Sequence, residues 1–176
     1  APGLARRFGA FTVISVGVAV GAVGFGLLVL SPPDGGLVAV TVGQVVLEAG
    51  LCAAITVAID GIMTSIPPAK AGAGASISET ANELGVALGT AVLGSVATVA
   101  YRRGLADVAA PEAAVDQARE TLGAAHDAAD TLGGAAGDAL REAADLAFTT
   151  GLRWAAAVMA VLLTVVSLWT RAVARR

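Results

Sequence analysis

Three observations predict an all-α membrane protein with four transmembrane helices and an extramembrane helical hairpin before the last of them. Hydrophobic residues fill 56% of the 176 positions and charged residues only 14%, against roughly a quarter charged in ordinary soluble domains. Apolar runs close to the bilayer-spanning length of about 20 residues recur along the chain. Between the third and fourth run the composition changes: residues 102–148 carry nine acidic and four basic side chains on an alanine-rich background. With a mean hydropathy of +0.79, most of this chain must be solvated by lipid. Three regions follow: 1–104 with three membrane helices (about 11–30, 37–66 and 75–101), 105–148 as the hairpin, and 149–176 with the last membrane helix and a basic tail.

The first run, Phe11 to Leu30, follows Arg6 and Arg7 and is closed by the turn-forming cluster "SPPDGG". It is longer than the apolar part of a signal peptide, and no small-residue cleavage pattern follows it. Gly17 and Gly21, with Gly24 and Gly26, mark it for close packing on another helix, because small residues let membrane helices approach. The second run contains Gln44, Glu48 and Asp60 and stops at Pro67-Pro68, which a helix interior does not tolerate. Thr41, Gln44, Glu48 and Cys52 share one face, and Glu48 lies about 16 Å along the helix, near the bilayer midplane. Asp60 falls on a different face near the far end.

In the third run, Leu84 to Ala100 supplies about 17 residues, or about 25 Å, short of the roughly 30 Å hydrocarbon core. Glu83 is therefore expected at membrane depth, with Glu79 one turn earlier. At 100° per residue, Ser76, Glu79, Glu83, Thr90, Ala97 and Tyr101 fall on one face and Gly85 and Gly89 on nearly the opposite one. The carboxylate face is expected to look into a cavity, since charge facing lipid costs several kcal/mol. The Gly85-x-x-x-Gly89 face is expected to pack on a neighbouring helix.

The stripe Val115, Ala118, Leu122, Ala125, Ala129 and Leu132 steps by three and four, breaks at Gly133-Gly134 and resumes at Ala136, Leu140, Ala143 and Ala147. That is the pattern of two amphipathic helices folded on each other. His126 has no second histidine or cysteine nearby and reads as a surface side chain rather than a ligand. The final run, Gly151 to Trp169, ends in "TRAVARR".

No nucleophile is paired with a base, no metal-ligand cluster occurs and no phosphate-binding loop precedes a helix, so neither an enzyme nor a bound cofactor or metal is expected. No basic patch for nucleic acid is present, and the lone Cys52 permits no internal disulfide. Charge leaves the orientation open. Four crossings place Arg6, Arg7, Lys70, Arg171, Arg175 and Arg176 on one side and Arg102, Arg103, Arg119, Arg141 and Arg153 on the other, six against five.

The stretch "IDGIMTSIPPAKAGAGASISETANELGVALGTAVLGSVATVAY" resembles the penultimate region of the fourteen-helix, proton-linked drug antiporters of the major facilitator superfamily, the group that includes quaternary-ammonium efflux pumps. The matching positions are Asp60, Met63, Pro67 and Pro68, then Ala71-Gly72 and Gly74, then Thr80, Leu84-Gly85, Ala87-Leu88-Gly89, Ala91-Val92 and Gly94-Ser95. "LARRFGAFTVISVG" resembles the cytoplasmic loop and helix that come earlier in that fold. The resemblance implies that the four runs are the last four helices of a longer transporter in the cell membrane. It also implies that both ends of this piece are cytoplasmic and the hairpin extracellular, and that the partners are the preceding helices, lipid, protons and lipophilic cations. Many members carry Arg and Gln where this chain has Asn82 and Glu83, and a neutral residue in place of Glu79. The acidic version resembles the quaternary-ammonium subgroup, which implies that Glu79 and Glu83 recognise cationic drugs. Glu48, Thr90 and Asp60 complete the candidate substrate- and proton-binding set. Two poorly solvated carboxylates repel each other, so a proton and a cation are expected to compete for them. The alternative is a small four-helix membrane anchor or partner-binding subunit, which explains the hydropathy and the hairpin but not the polar face running through the membrane.

Overall fold

The computed structural model describes residues 2–30 and 37–174. The turn cluster at 31–36 and the terminal Arg175 and Arg176 lie outside the described residues. Within them regular structure is helical throughout: α1 (Pro2–Phe8), α2 (Ala10–Leu30), α3 (Leu37–Ser65), a 3-10 turn (Pro68–Lys70), α4 (Ala71–Gly104), α5 (Glu112–Ala118), α6 (Leu122–Leu132) and α7 (Gly134–Ala174). Four segments are long and apolar enough to cross a membrane: α2, α3, α4 with the turn before it, and α7. The fold class is therefore the expected all-α membrane one. The chain forms two compact units, Ala1–Thr90 with Ala156–Arg176, and Ala91–Ala155.

In the first unit α2 and α3 pack antiparallel through small residues. A Cβ added at Gly17 would lie 2.7 Å from the Gly50 carbonyl oxygen, one at Gly21 2.9 Å from Leu51 Cδ2, and one at Gly24 2.6 Å from Leu47 Cα. From the α3 side, a Cβ at Gly50 would lie 2.5 Å from the Gly17 oxygen, and one at Gly43 3.0 Å from Leu28 Cδ2. The pairs Gly17–Ala54, Gly21–Leu51, Gly24–Leu47 and Leu28–Gly43 keep one register over nearly three turns. Backbones this close need glycine on both helices, since any side chain would hold them apart. Gly26 has nothing within 4 Å and takes no part.

The portion of α7 in this unit joins α2 through a pair of buried serines. Ser15 Oγ donates to the Ser167 carbonyl at 3.0 Å and Ser167 Oγ donates to the Ser15 carbonyl at 2.9 Å, with exposures of 0% and 6%. Most other hydroxyls in these helices bond backwards within their own helix, as Thr56 does to the Cys52 carbonyl, Thr64 to Asp60 and Thr164 to Ala160. Just before α2, Gly9 at φ 86° turns the chain out of α1, a backbone conformation that glycine adopts without strain.

The second unit is the hairpin with the adjoining ends of α4 and α7. Its core joins Tyr101 and Leu105 to Ala118, Ala125, Ala128 and Ala129 and to Leu140, Ala144 and Ala147. Helix α6 opens on Thr121, whose Oγ1 accepts from the Ala124 amide at 3.0 Å, satisfying one of the free N–H groups of its first turn. It closes at Gly133, and Gly133 and Gly134 hold φ of 62° and 58°, where a Cβ would strain the turn. Asp130 on α6 pairs with Arg141 on α7, and Asp145 with His126 at 2.9 Å. These exposed pairs add little to stability, typically under about 1 kcal/mol each. Helices α4 and α7 cross closely, since a Cβ at Gly104 would lie 2.5 Å from Ala147 Cβ and one at Gly151 2.8 Å from the Ala97 oxygen. Helix α7 runs unbroken from the hairpin into the last apolar run.

Candidate functional site

Glu79 and Glu83 stand one turn apart on α4 and both are exposed. Helix formation here is continuous because the 3-10 turn ends at Lys70 and the following residues, Ala71 to Ser78, are small or β-unbranched apart from Ile77. The local hydroxyls are occupied by the helix itself: Ser76 Oγ donates to the Gly72 carbonyl at 3.0 Å and Thr80 Oγ1 to the Ser76 carbonyl at 2.8 Å. Neither carboxylate joins any of the ion pairs found among the described residues.

Thr90, two turns further on, is exposed as well. At Ala97 and Tyr101 the face changes character. Tyr101 is 7% exposed and its hydroxyl donates to the Ala118 carbonyl at 2.8 Å, while the Ala97 backbone meets Gly151. Periodicity had put both on the cavity-facing stripe, and the structure corrects that assignment. The ring of Tyr101 fills space among hairpin alanines and its hydroxyl finds a carbonyl there, a better use of an amphipathic side chain than an open face.

On the opposite face, a Cβ at Gly85 or Gly89 meets nothing within 4 Å, so this surface of α4 is open in the present chain. Gly17 and Gly21, by contrast, sit against α3 as described above.

Glu48 and Asp60 are exposed on α3. The α3 face that meets α2 is made by Leu47, Gly50, Leu51 and Ala54, and Glu48 lies to one side of it. Gln44 Nε2 approaches Glu48 Oε1 at 3.5 Å, the outer limit of a hydrogen bond. No hydrogen bond or ion pair among the described residues links Glu48 or Asp60 to Glu79 or Glu83. Of the predicted set, Glu79, Glu83 and Thr90 share the exposed stripe of α4, and Glu48 and Asp60 stand on α3. Among the described residues no three His, Cys, Asp or Glu side chains gather closely enough to hold a metal ion.

Two polar features carried no signal in the sequence. The Ser15–Ser167 pair joins positions 152 residues apart, and serine is common in membrane helices. Arg171 borders a groove between α2 and α7, which no spacing rule announces.

No protein-family model matches the chain and no solved structure is significantly similar to it. Among curated proteins, the multidrug efflux pump LfrA of Mycolicibacterium smegmatis is 38% identical over 161 residues, covering 90% of this chain and 32% of that protein. The chain thus spans about a third of that protein's length. Over nine-tenths of its own length it is related to a multidrug efflux pump, as the proline, glycine and carboxylate pattern through its second and third apolar runs led one to expect.

Proposed function

We propose that this chain forms the last four membrane helices of a fourteen-helix, proton-linked drug antiporter of the major facilitator superfamily, and that it contributes carboxylates that bind lipophilic cations. The observation that carries this reading is the pair Glu79 and Glu83, one turn apart, exposed on a membrane helix and joining no ion pair among the described residues. Facing lipid, such a pair costs several kcal/mol, so the face is turned toward a polar cavity closed by helices outside this chain. There a cation and a proton compete for the same oxygens: the neutral acid releases a lipophilic cation and the ionised one holds it. That competition, coupled to alternating exposure of a midplane site, is sufficient for antiport. Glu48 and Thr90 extend the polar surface, and Asp60 supports it from the other end of α3. Gly85 and Gly89 offer a second face, made of small residues, to a neighbouring helix.

The test uses the full-length protein in cells. Glu79→Gln and Glu83→Gln each keep the side-chain shape and remove the charge, so efflux of a cationic dye should fall at least about tenfold while the amount of protein in the membrane stays near wild type. Thr90→Val should shift the dye preference without loss of protein. Wild-type efflux in both glutamine variants removes the carboxylate site.

A further inference from the structure

We propose that the groove between α2 and the end of α7 is a site for an anionic phospholipid, with one acyl chain along the groove and the phosphate on Arg171. The two helices run antiparallel, Ser15 meeting Ser167 and Gly21 lying against Leu163. Beside that contact opens a groove of about 340 Å³, within the range of about 300 to 1,000 Å³ typical of small-molecule sites. Ala19, Ala22 and Val23 form one wall, and Thr164 and Leu168 the other, with Arg171 at one end. In this register the apolar walls extend from Val23 to Leu168 over about eight residues of rise, or about 12 Å, most of the roughly 15 Å hydrocarbon depth of one leaflet, and Arg171 lies about one turn beyond.

The walls make no polar demand. Thr164 donates its hydroxyl to the Ala160 carbonyl, and the Ser167 hydroxyl is spent on Ser15. The mouth does make one: Arg171 is exposed and joins no ion pair among the described residues. The antiparallel register places it at the end of α2 where α1 brings Arg6 and Arg7, both exposed, the latter stacked over Phe8 at 5.5 Å. Asp60 is the one described carboxylate at that level of α3, and it too joins no ion pair. Lys70, in the turn that follows α3, lies at the same end, so four described cations against one anion leave it positive. An apolar slot reaching most of the way through one leaflet, with a cationic mouth, complements a lipid that is apolar along its chain and anionic at its head. A packed helix would satisfy the walls and leave the arginines unpaired. The proposal needs the membrane but not the drug site, so it stands or falls independently of Glu79 and Glu83.

The test is native mass spectrometry of the full-length protein released from detergent micelles and titrated separately with dioleoyl phosphatidylglycerol, dioleoyl phosphatidylcholine and inorganic phosphate. Phosphatidylglycerol should bind more tightly than phosphatidylcholine, and inorganic phosphate should not displace it. Arg171→Gln should weaken phosphatidylglycerol binding about fivefold, the value of one arginine near an anionic headgroup, and Arg171→Lys should retain it. Ala22→Leu, which fills the groove and keeps every charge, should weaken both lipids. Should Arg171→Gln fail to fold, the lysine and leucine variants decide. Equal binding of the two lipids, displacement by inorganic phosphate, or unchanged binding in Ala22→Leu would each overturn the proposal, the last by showing that the lipid binds outside the groove.

Discussion

At Gly50 two membrane helices all but touch, with hypothetical Cβ distances of 2.5 Å to the Gly17 oxygen and 2.6 Å to the Gly21 nitrogen. Backbone cannot rotate away as a side chain can, so Gly50→Leu must separate the helices. Overpacking of this kind costs typically about 1–3 kcal/mol, and here it also abolishes the register shared by Gly17, Gly21 and Gly24. A lower melting temperature and a lower yield of monodisperse protein are expected for Gly50→Leu, whereas Gly26→Leu, with open space around it, should match wild type. Equal effects at the two positions would show that the α2–α3 contact is not the one described. Ser15→Ala removes one interhelical bond worth about 0.6 kcal/mol in a membrane. Ser167 can then turn back to its own helix, so the shift should be smaller than for Gly50→Leu. The sequence revealed that α2 has a small-residue face, but its partner depends on the relative register of two helices. Four glycines in ten residues also cannot all share one face, because Gly24 and Gly26 lie about 200° apart on the helix.

Helix α4 shows how far periodicity carries within an element. The stripe from Ser76 to Thr90 is exposed, and Glu79 and Glu83 keep the spacing that drew notice to them. Beyond Thr90 the same stripe enters the hairpin unit, where Tyr101 is buried by contacts with residues distant in sequence. A 3.6-residue repeat reports that positions share a side, not what lies on that side. In the hairpin, periodicity found Val115, Ala118, Ala125, Ala129, Leu140 and Ala147, all buried, but passed over Ala144, which is fully buried too. Ala136, placed on the stripe, is exposed, since at the first turn of α7 no partner reaches it. The join between hairpin and last apolar run was invisible for another reason. Composition changes there from water-facing to lipid-facing, yet no residue interrupts helical hydrogen bonding, and Gly151 is retained because the Ala97 oxygen occupies its bare side. Tyr101→Phe should therefore act on the hairpin and not on a transport cavity. Losing the bond to Ala118 and leaving that carbonyl unpaired should cost about 1–3 kcal/mol. Faster amide hydrogen exchange confined to α5 and α6, with dye efflux unchanged, is the expected result; altered dye specificity with unchanged exchange would return Tyr101 to the cavity.

At the scale of the whole molecule, sidedness is set by the number of crossings and tested by labelling. On the reading proposed above, four crossings return the chain to its starting side, so α1 and the end of α7 share a side. The basic residues divide six to five and cannot choose. The reading proposed above puts the hairpin outside, which fixes the labelling pattern of single cysteines in a Cys52→Ala background, a replacement required because Cys52 is itself exposed. Ala136→Cys, exposed at the start of α7, should react with a membrane-impermeant thiol reagent added to intact cells. Ala69→Cys, exposed in the turn between α3 and α4, should react only after the membrane is opened. Ala125→Cys supplies a control that is independent of sidedness. It points into the hairpin core at 0% exposure, so it should stay unlabelled in intact and opened cells alike and react once the protein is denatured. Labelling of Ala69→Cys from outside with protection of Ala136→Cys would invert the orientation while leaving the fold intact. Rapid labelling of Ala125→Cys in native protein would instead unmake the hairpin core, because a side chain packed against Leu140 and Tyr101 cannot also meet a water-soluble reagent.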